Sequence, residues 1–174
     1  VALREDQIQR FSRQILLREV GGVGQQRLLD AAVRVLAAGP AIDVAVAYLV
    51  AGGTPVELAE GVTIDGFLHG APLDALSPDA HATFAPSWSL STCEGPDAHV
   101  VIGAGVAWRD DPSCVECGAL VRQALQGASP PVATGSLAAL IAQRLVLGRD
   151  PKAGLLVWKD TQFAARKLPR CPRH

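Results

Sequence analysis

Apolar residues recur at helical spacing near the amino end: Ile8, Phe11, Ile15 and Leu16 share one face of residues 4 to 18. This spacing predicts an amphipathic helix, and "GGVGQQRLLDA", with Gly22-Val23-Gly24 as its starting turn, opens a second. Val33 to Ala38 is instead a short continuous apolar run closed by Gly39-Pro40, the form of a buried parallel strand. Ile42 to Ala51 reads as an Ala/Val-rich helix ending on Gly52-Gly53, and Thr54 to Ala59 as the next strand, which completes a βαβ unit. From Gly61 to Pro96 the periodicity breaks, so this stretch reads as a loop-rich excursion with at most a short strand. "HVVIGAGVAW", His99 to Trp108, predicts a second buried strand, followed by the polar "RDDPS" and a C-x-x-C pair. Gly135 to Leu147 predicts a long apolar helix, in the core or at a subunit interface, with Gly148 as C-cap and Pro151 beyond it. "GLLVWKDTQFAARKLP" gives two strand-like runs about Asp160-Thr161, a terminal hairpin.

Composition narrows the class. At 174 residues, 49% hydrophobic and mean hydropathy +0.23, the chain can build one core, and a single α/β domain is expected. A net charge of -1 and an isoelectric point near 6.5 argue against nucleic acid or a membrane surface as partner. No apolar run is long enough to span a bilayer and the amino end is charged from Arg4 onward, which makes the cytoplasm the default compartment. Four cysteines are too few for a disulfide scaffold, and a C-x-x-C in such a protein points to metal or redox use.

Cys114-x-x-Cys117 and Cys171-x-x-His174 are two pairs whose spacing lets both side chains of each reach one tetrahedral ion, so together they form a Cys₃His set suited to structural zinc. Such an ion closes a loop of more than fifty residues and contributes stability, and a full ligand set leaves no position for catalysis. The alternatives are buried thiols without metal beside a frayed tail, and a redox pair at 114 and 117. Cys93 reads as a small apolar filler, with a reactive thiol as its alternative, and the isolated His69, His81 and His99 as surface or packing residues.

"RFSRQILLREVGGVGQQRLLDAAVRVL" resembles the opening segment of the MoeB/ThiF/HesA adenylyltransferases, relatives of the ubiquitin-activating enzymes. "PVATGSLAALIAQRLVLG" and "GLLVWKDTQFAARKLPRCPRH" are similar to that family's closing helix, terminal hairpin and last pair of metal ligands. The resemblance implies a Rossmann-like, mostly parallel sheet with flanking helices, amino-terminal helices and a carboxyl-terminal β-hairpin, assembled as a homodimer. In active members it implies ATP-dependent adenylation of the carboxyl-terminal glycine of a ubiquitin-like sulfur carrier, in molybdopterin or thiamine synthesis. It also assigns Arg13, in "RFSRQ", to the arginine that reaches across the dimer toward the partner's nucleotide, with an interface ion pair as the plainer role. His174 departs from the family, whose second ligand pair is also cysteine.

The nucleotide site departs further. Aligned on Tyr48-Leu49, the family's G-x-G-x-x-G turn falls on Ala37, Gly39 and Ile42, so one glycine of three survives. Those glycines let backbone N–H groups approach a phosphate at a helix amino end. Here Pro40 removes a donor, Ile42 adds a branched side chain, and Asp43 brings a carboxylate that is either a helix cap or a local anion. Lys and Arg are absent from Val35 through Trp108, while Asp43, Glu57, Glu60, Asp65, Asp74, Asp79, Glu94 and Asp97 all lie there. Adenylation needs fixed cations or Mg²⁺ for the charge developing on phosphate. The family's Asn-Leu-x-Arg-Gln motif and catalytic lysine have no counterpart, and Gly103, Ala104 and Gly105 stand where its metal-binding Asp is expected.

The sequence is therefore read as one shortened domain over 1-174: a helical dimerisation segment at 1-32, a degenerate nucleotide-binding half at 33-108 and a zinc-clipped half at 109-174. Expected are a homodimer with structural zinc on Cys114, Cys117, Cys171 and His174, vestigial cofactor positions at Gly39 and Arg13, no catalytic residue, and no use of ATP and Mg²⁺. Such a protein acts as a binding or scaffold partner of a ubiquitin-like sulfur carrier or of a full-length family member. The alternative is an active adenylyltransferase that draws cations from Arg13, Arg109 or a partner subunit.

Overall fold

The computed structural model describes residues 3–64, 88–149 and 153–173. In chain order it contains α1 (Glu5–Ile15), α2 (Gly21–Asp30), β1 (Val33–Val35), α3 (Pro40–Ala51), β2 (Val56–Leu58), β3 (Trp88–Thr92), β4 (Val100–Ile102), β5 (Gly105–Arg109), α4 (Val115–Ala124), α5 (Pro131–Val146), β6 (Ala153–Lys159) and β7 (Gln162–Arg166). The strands form one mixed sheet in the order β2-β1-β3-β4-β5-β6-β7, parallel from β2 to β4 and antiparallel from β4 to β7. The α/β architecture expected from the sequence is thus present, with the terminal hairpin of β6 and β7 at one edge.

Each face of the sheet is covered because each carries its own apolar set. Val33, Val35, Leu90, Val100, Ile102 and Val106 pack against Ile42, Ala45, Leu49, Ala138, Ile141 and Ala142 of α3 and α5. Those two helices lie close enough that a Cβ on Gly135 would sit 2.3 Å from the Ala41 carbonyl oxygen. On the other face, Val101, Ala107 and Leu155 meet Val121 and Leu125 at α4. This smaller cluster also takes in Leu36, Cys93 and Leu168, the last from the tail that follows β7.

One sequence expectation changes form. "HVVIGAGVAW" is a tight antiparallel hairpin of β4 and β5, with Val100 opposite Trp108 and Ile102 opposite Val106. The turn falls at 103–105, where the backbone is crowded from both sides: a Cβ on Gly103 would lie 2.4 Å from the Leu125 carbonyl oxygen and one on Gly105 2.1 Å from that of Leu156. The glycines serve close packing of backbones, which the apolar periodicity of the run does not reveal. β3 is a short strand within the loop-rich excursion of 61 to 96, and α4, after the first cysteine pair, is an element that the periodicity does not name. Among the described residues no helix is long and apolar enough to cross a membrane.

Candidate metal centre

Cys114 occupies the N-cap of α4 and Cys117 its first turn, so the C-x-x-C spacing brings both sulfurs to the amino end of one helix. Cys171 arrives from the tail after β7, whose Leu168 is seated in the smaller core. The three sulfurs lie within 4.8 Å of one another, with Cys114 Sγ and Cys171 Sγ 3.8 Å apart. Zinc–sulfur bonds of about 2.3 Å in a tetrahedron require sulfurs roughly 3.8 Å apart, so this spacing fits one ion of that size. Cys117 and Cys171 are buried, and the Cys171 backbone N–H donates to Cys117 Sγ at 3.4 Å.

The surroundings favour thiolate at Cys114, whereas Cys117, despite the Cys171 backbone N–H it accepts, is pushed up by burial and by the other two sulfurs. The amino end of α4 carries the positive end of the helix dipole. The Cys117 backbone N–H holds the Cys114 thiol below its ordinary range. Arg173 is held the more firmly protonated by Cys171, by Cys114 and by Glu116, and its guanidinium meets Glu116 Oε1 at 3.0 Å, tying the tail to α4. Three cysteines therefore present a site that can hold a metal ion; His174, the fourth member of the sequence-derived set, lies outside the described residues.

Sequence reasoning missed the support beneath this loop. Arg109, at the end of β5, is 6% exposed; its Nη2 lies 3.2 Å from Asp97 Oδ1, and it donates to the carbonyl oxygens of Cys114 and Pro112, each at 3.3 Å. Arg122 of α4 pairs with the same Asp97 oxygen. The available signal was Arg109 itself, closing an otherwise apolar run: an arginine buried there requires a partner.

The strand–turn–helix unit lies elsewhere, at the carboxyl end of β1. Gly39 is the N-cap of α3 with φ 151° and ψ 161°, a region open in practice to glycine alone. Pro40 is the first helical residue. Ile42 is fully buried in the main core. Asp43 lies in the first turn of α3 and the cap is Gly39, so its carboxylate is not the helix N-cap, though it complements the dipole. The turn after β3 closes over the strand ends: a Cβ on Gly95 would sit 2.8 Å from Ala37 Cβ and 2.5 Å from Ser91 Oγ. Arg13 is exposed in the last turn of α1, on a different element from Gly39.

Other candidates settle into packing. Cys93 is half-buried, and burial with the charge of Glu94 pushes its thiol up. His99 stacks edge-on against Trp88 and its Nδ1 accepts from the Ser89 backbone N–H at 3.2 Å. Glu57 pairs with Arg34 across β1 and β2 at 3.5 Å, and Glu60 is exposed in the turn that follows. His69 and His81 lie outside the described residues.

No family model and no curated protein matches the sequence. Among solved structures, the chain is similar to the crystal structure of selenomethionine PaaA, with a TM-score of 0.61 over 95% of this chain and 84% of that one, at 12% identity. At that identity the likeness establishes a shared α/β fold.

Proposed function

We propose that the chain is a non-catalytic, zinc-stabilised protein of ThiF/MoeB-like, Rossmann-like form that acts as a binding or scaffold partner in sulfur-carrier biosynthesis of the molybdopterin or thiamine type. The observation that carries the loss of catalysis is Ile42: a fully buried core side chain holds the position where a phosphate-binding turn needs a glycine. Pro40 at the helix start and Gly95 packed over the end of β1 support the same reading. Arg109, the strongest candidate for a substitute cation, is engaged by Asp97 and by two carbonyl groups.

The zinc would be held by Cys114, Cys117 and Cys171, with His174 as fourth ligand, and would supply structural cross-linking between α4 and the tail. Three thiols kept available as ligands suit the reducing cytoplasm. Homodimerisation through the amino-terminal helices and α5 is supported by exposed Ile8, Leu16, Leu17 and Val23 on one side and Leu140 on the other. The test is ATP–pyrophosphate exchange by the zinc-loaded chain mixed with a ubiquitin-like sulfur carrier. The proposal expects no exchange above background together with one zinc per chain; carrier-dependent exchange would overturn it.

A further inference from the structure

Asp97 lies in the connection between β3 and β4, far in sequence from the cysteines, yet three groups beside the metal centre converge on it. Its Oδ1 receives Arg109 Nη2 at 3.2 Å and Arg122 Nη1. It also rests on the first turns of α4, where a Cβ on Gly118 would lie 2.2 Å from that oxygen. Gly118 and Arg122 are four residues apart, so they share one face of the helix and grip the carboxylate from two levels.

Arg109 carries this hold to the cysteine loop. With its side chain only 7% exposed, the guanidinium needs a counter-charge, and Asp97, its side chain 22% exposed, supplies it. Its Nη1 donates to the carbonyl oxygen of Cys114 and its Nη2 also to that of Pro112, spanning the segment that delivers the first ligand. The Cys114 carbonyl is also the acceptor of the Gly118 N–H at 2.9 Å, so it fixes where α4 begins. The direction of both Cys114 and Cys117 follows from that starting point.

We infer that Asp97, acting through Arg109 and Arg122, is a positioning residue for the metal centre: it sets the α4 amino end and hence the geometry of the Cys114–Cys117 pair. The inference rests on the metal reading above. Outer groups that orient ligands typically alter metal affinity by about 10- to 100-fold. Asp97 is also one of the acids in the segment without lysine or arginine, and its partners come from beyond that segment.

The test compares the full-length wild type with Asp97→Asn, Arg109→Lys and Gly118→Ala, measuring zinc affinity by chelator competition and the absorption bands of the cobalt-substituted site. Arg109→Lys keeps the charge but loses the fork that spans two carbonyls, and Gly118→Ala displaces the carboxylate while changing no charge at all. Circular dichroism of each metal-free variant confirms folding, and Glu57→Gln, which breaks an ion pair on the far edge of the sheet, is the control for a generic loss of charge pairing. Expected is at least a tenfold loss of zinc affinity in all three variants, with shifted cobalt bands and an unchanged control. Wild-type affinity and bands in folded Arg109→Lys and Gly118→Ala would overturn the inference while leaving the metal reading standing. A wild type that takes up neither zinc nor cobalt would remove the metal reading and this inference together.

Discussion

Ile42 and His99 are two residues whose surroundings fix what they can do. Ile42 has no exposed surface and sits among the side chains joining α3 to the sheet, so Ile42→Gly empties core volume and weakens a helix turn. We expect it to destabilise by about 4 kcal/mol, read as a lower urea midpoint, without gaining ATP binding, since Pro40 and Asp43 remain. His99 accepts a backbone N–H at Nδ1, which requires the neutral ring, and burial followed by the charge of Arg109 holds its pKa below the ordinary 6.5. The unfolded chain then binds more protons than the folded one, so the stability His99 contributes is present above 6.5 and is lost as pH falls toward its folded value. The urea midpoint should fall between about pH 7.5 and 5.5, and should fall less in His99→Gln. An equal fall in the variant would show that His99 is not the group responsible.

At the scale of the element, the terminal hairpin illustrates what periodicity captures. Asp160 and Thr161 lie at φ 49° and 68°, the two left-handed positions of a tight hairpin turn, and a β-branched residue is strained there. Thr161→Gly should therefore stabilise by about 1 kcal/mol, visible as a raised melting temperature; a decrease would mean that the threonine hydroxyl contributes more than the strain costs. Both strands of this hairpin were legible because their apolar runs flank a polar pair. The hairpin of β4 and β5 was not, because Gly103-Ala104-Gly105 is as apolar as the strands beside it and its turn is dictated by Leu125 and Leu156 from elsewhere in the chain. Likewise, α4 begins at a cysteine and its apolar residues answer to a small second core, so its signal was masked by the motif at its start. The three clustered cysteines were legible from spacing alone, whereas the pairing of Asp97 with Arg109 was not: it follows from the register of the β4–β5 hairpin, which brings Arg109 beside His99 and so close to residue 97.

For the molecule as a whole, a metal ion on the three cysteines would cross-link distant parts of the chain. Cys117 and Cys171 are 54 residues apart, and the tail they anchor is otherwise held by Leu168 and by the exposed ion pair of Arg173 with Glu116, which solvent screens strongly. Removing the metal with a chelator should lower the melting temperature by something on the order of 10 °C, the effect of releasing a loop closure of this length. It should also expose the chain after β7 to proteolysis, while an unchanged melting curve would mean that the thiols do not act as a clip. The central proposal is nevertheless that the turn between β1 and α3 binds no nucleotide, and calorimetric titration of the protein with Mg-ATP tests it most directly. The filled turn at Gly39 to Asp43 predicts no binding up to millimolar ATP; a micromolar dissociation constant would contradict the account.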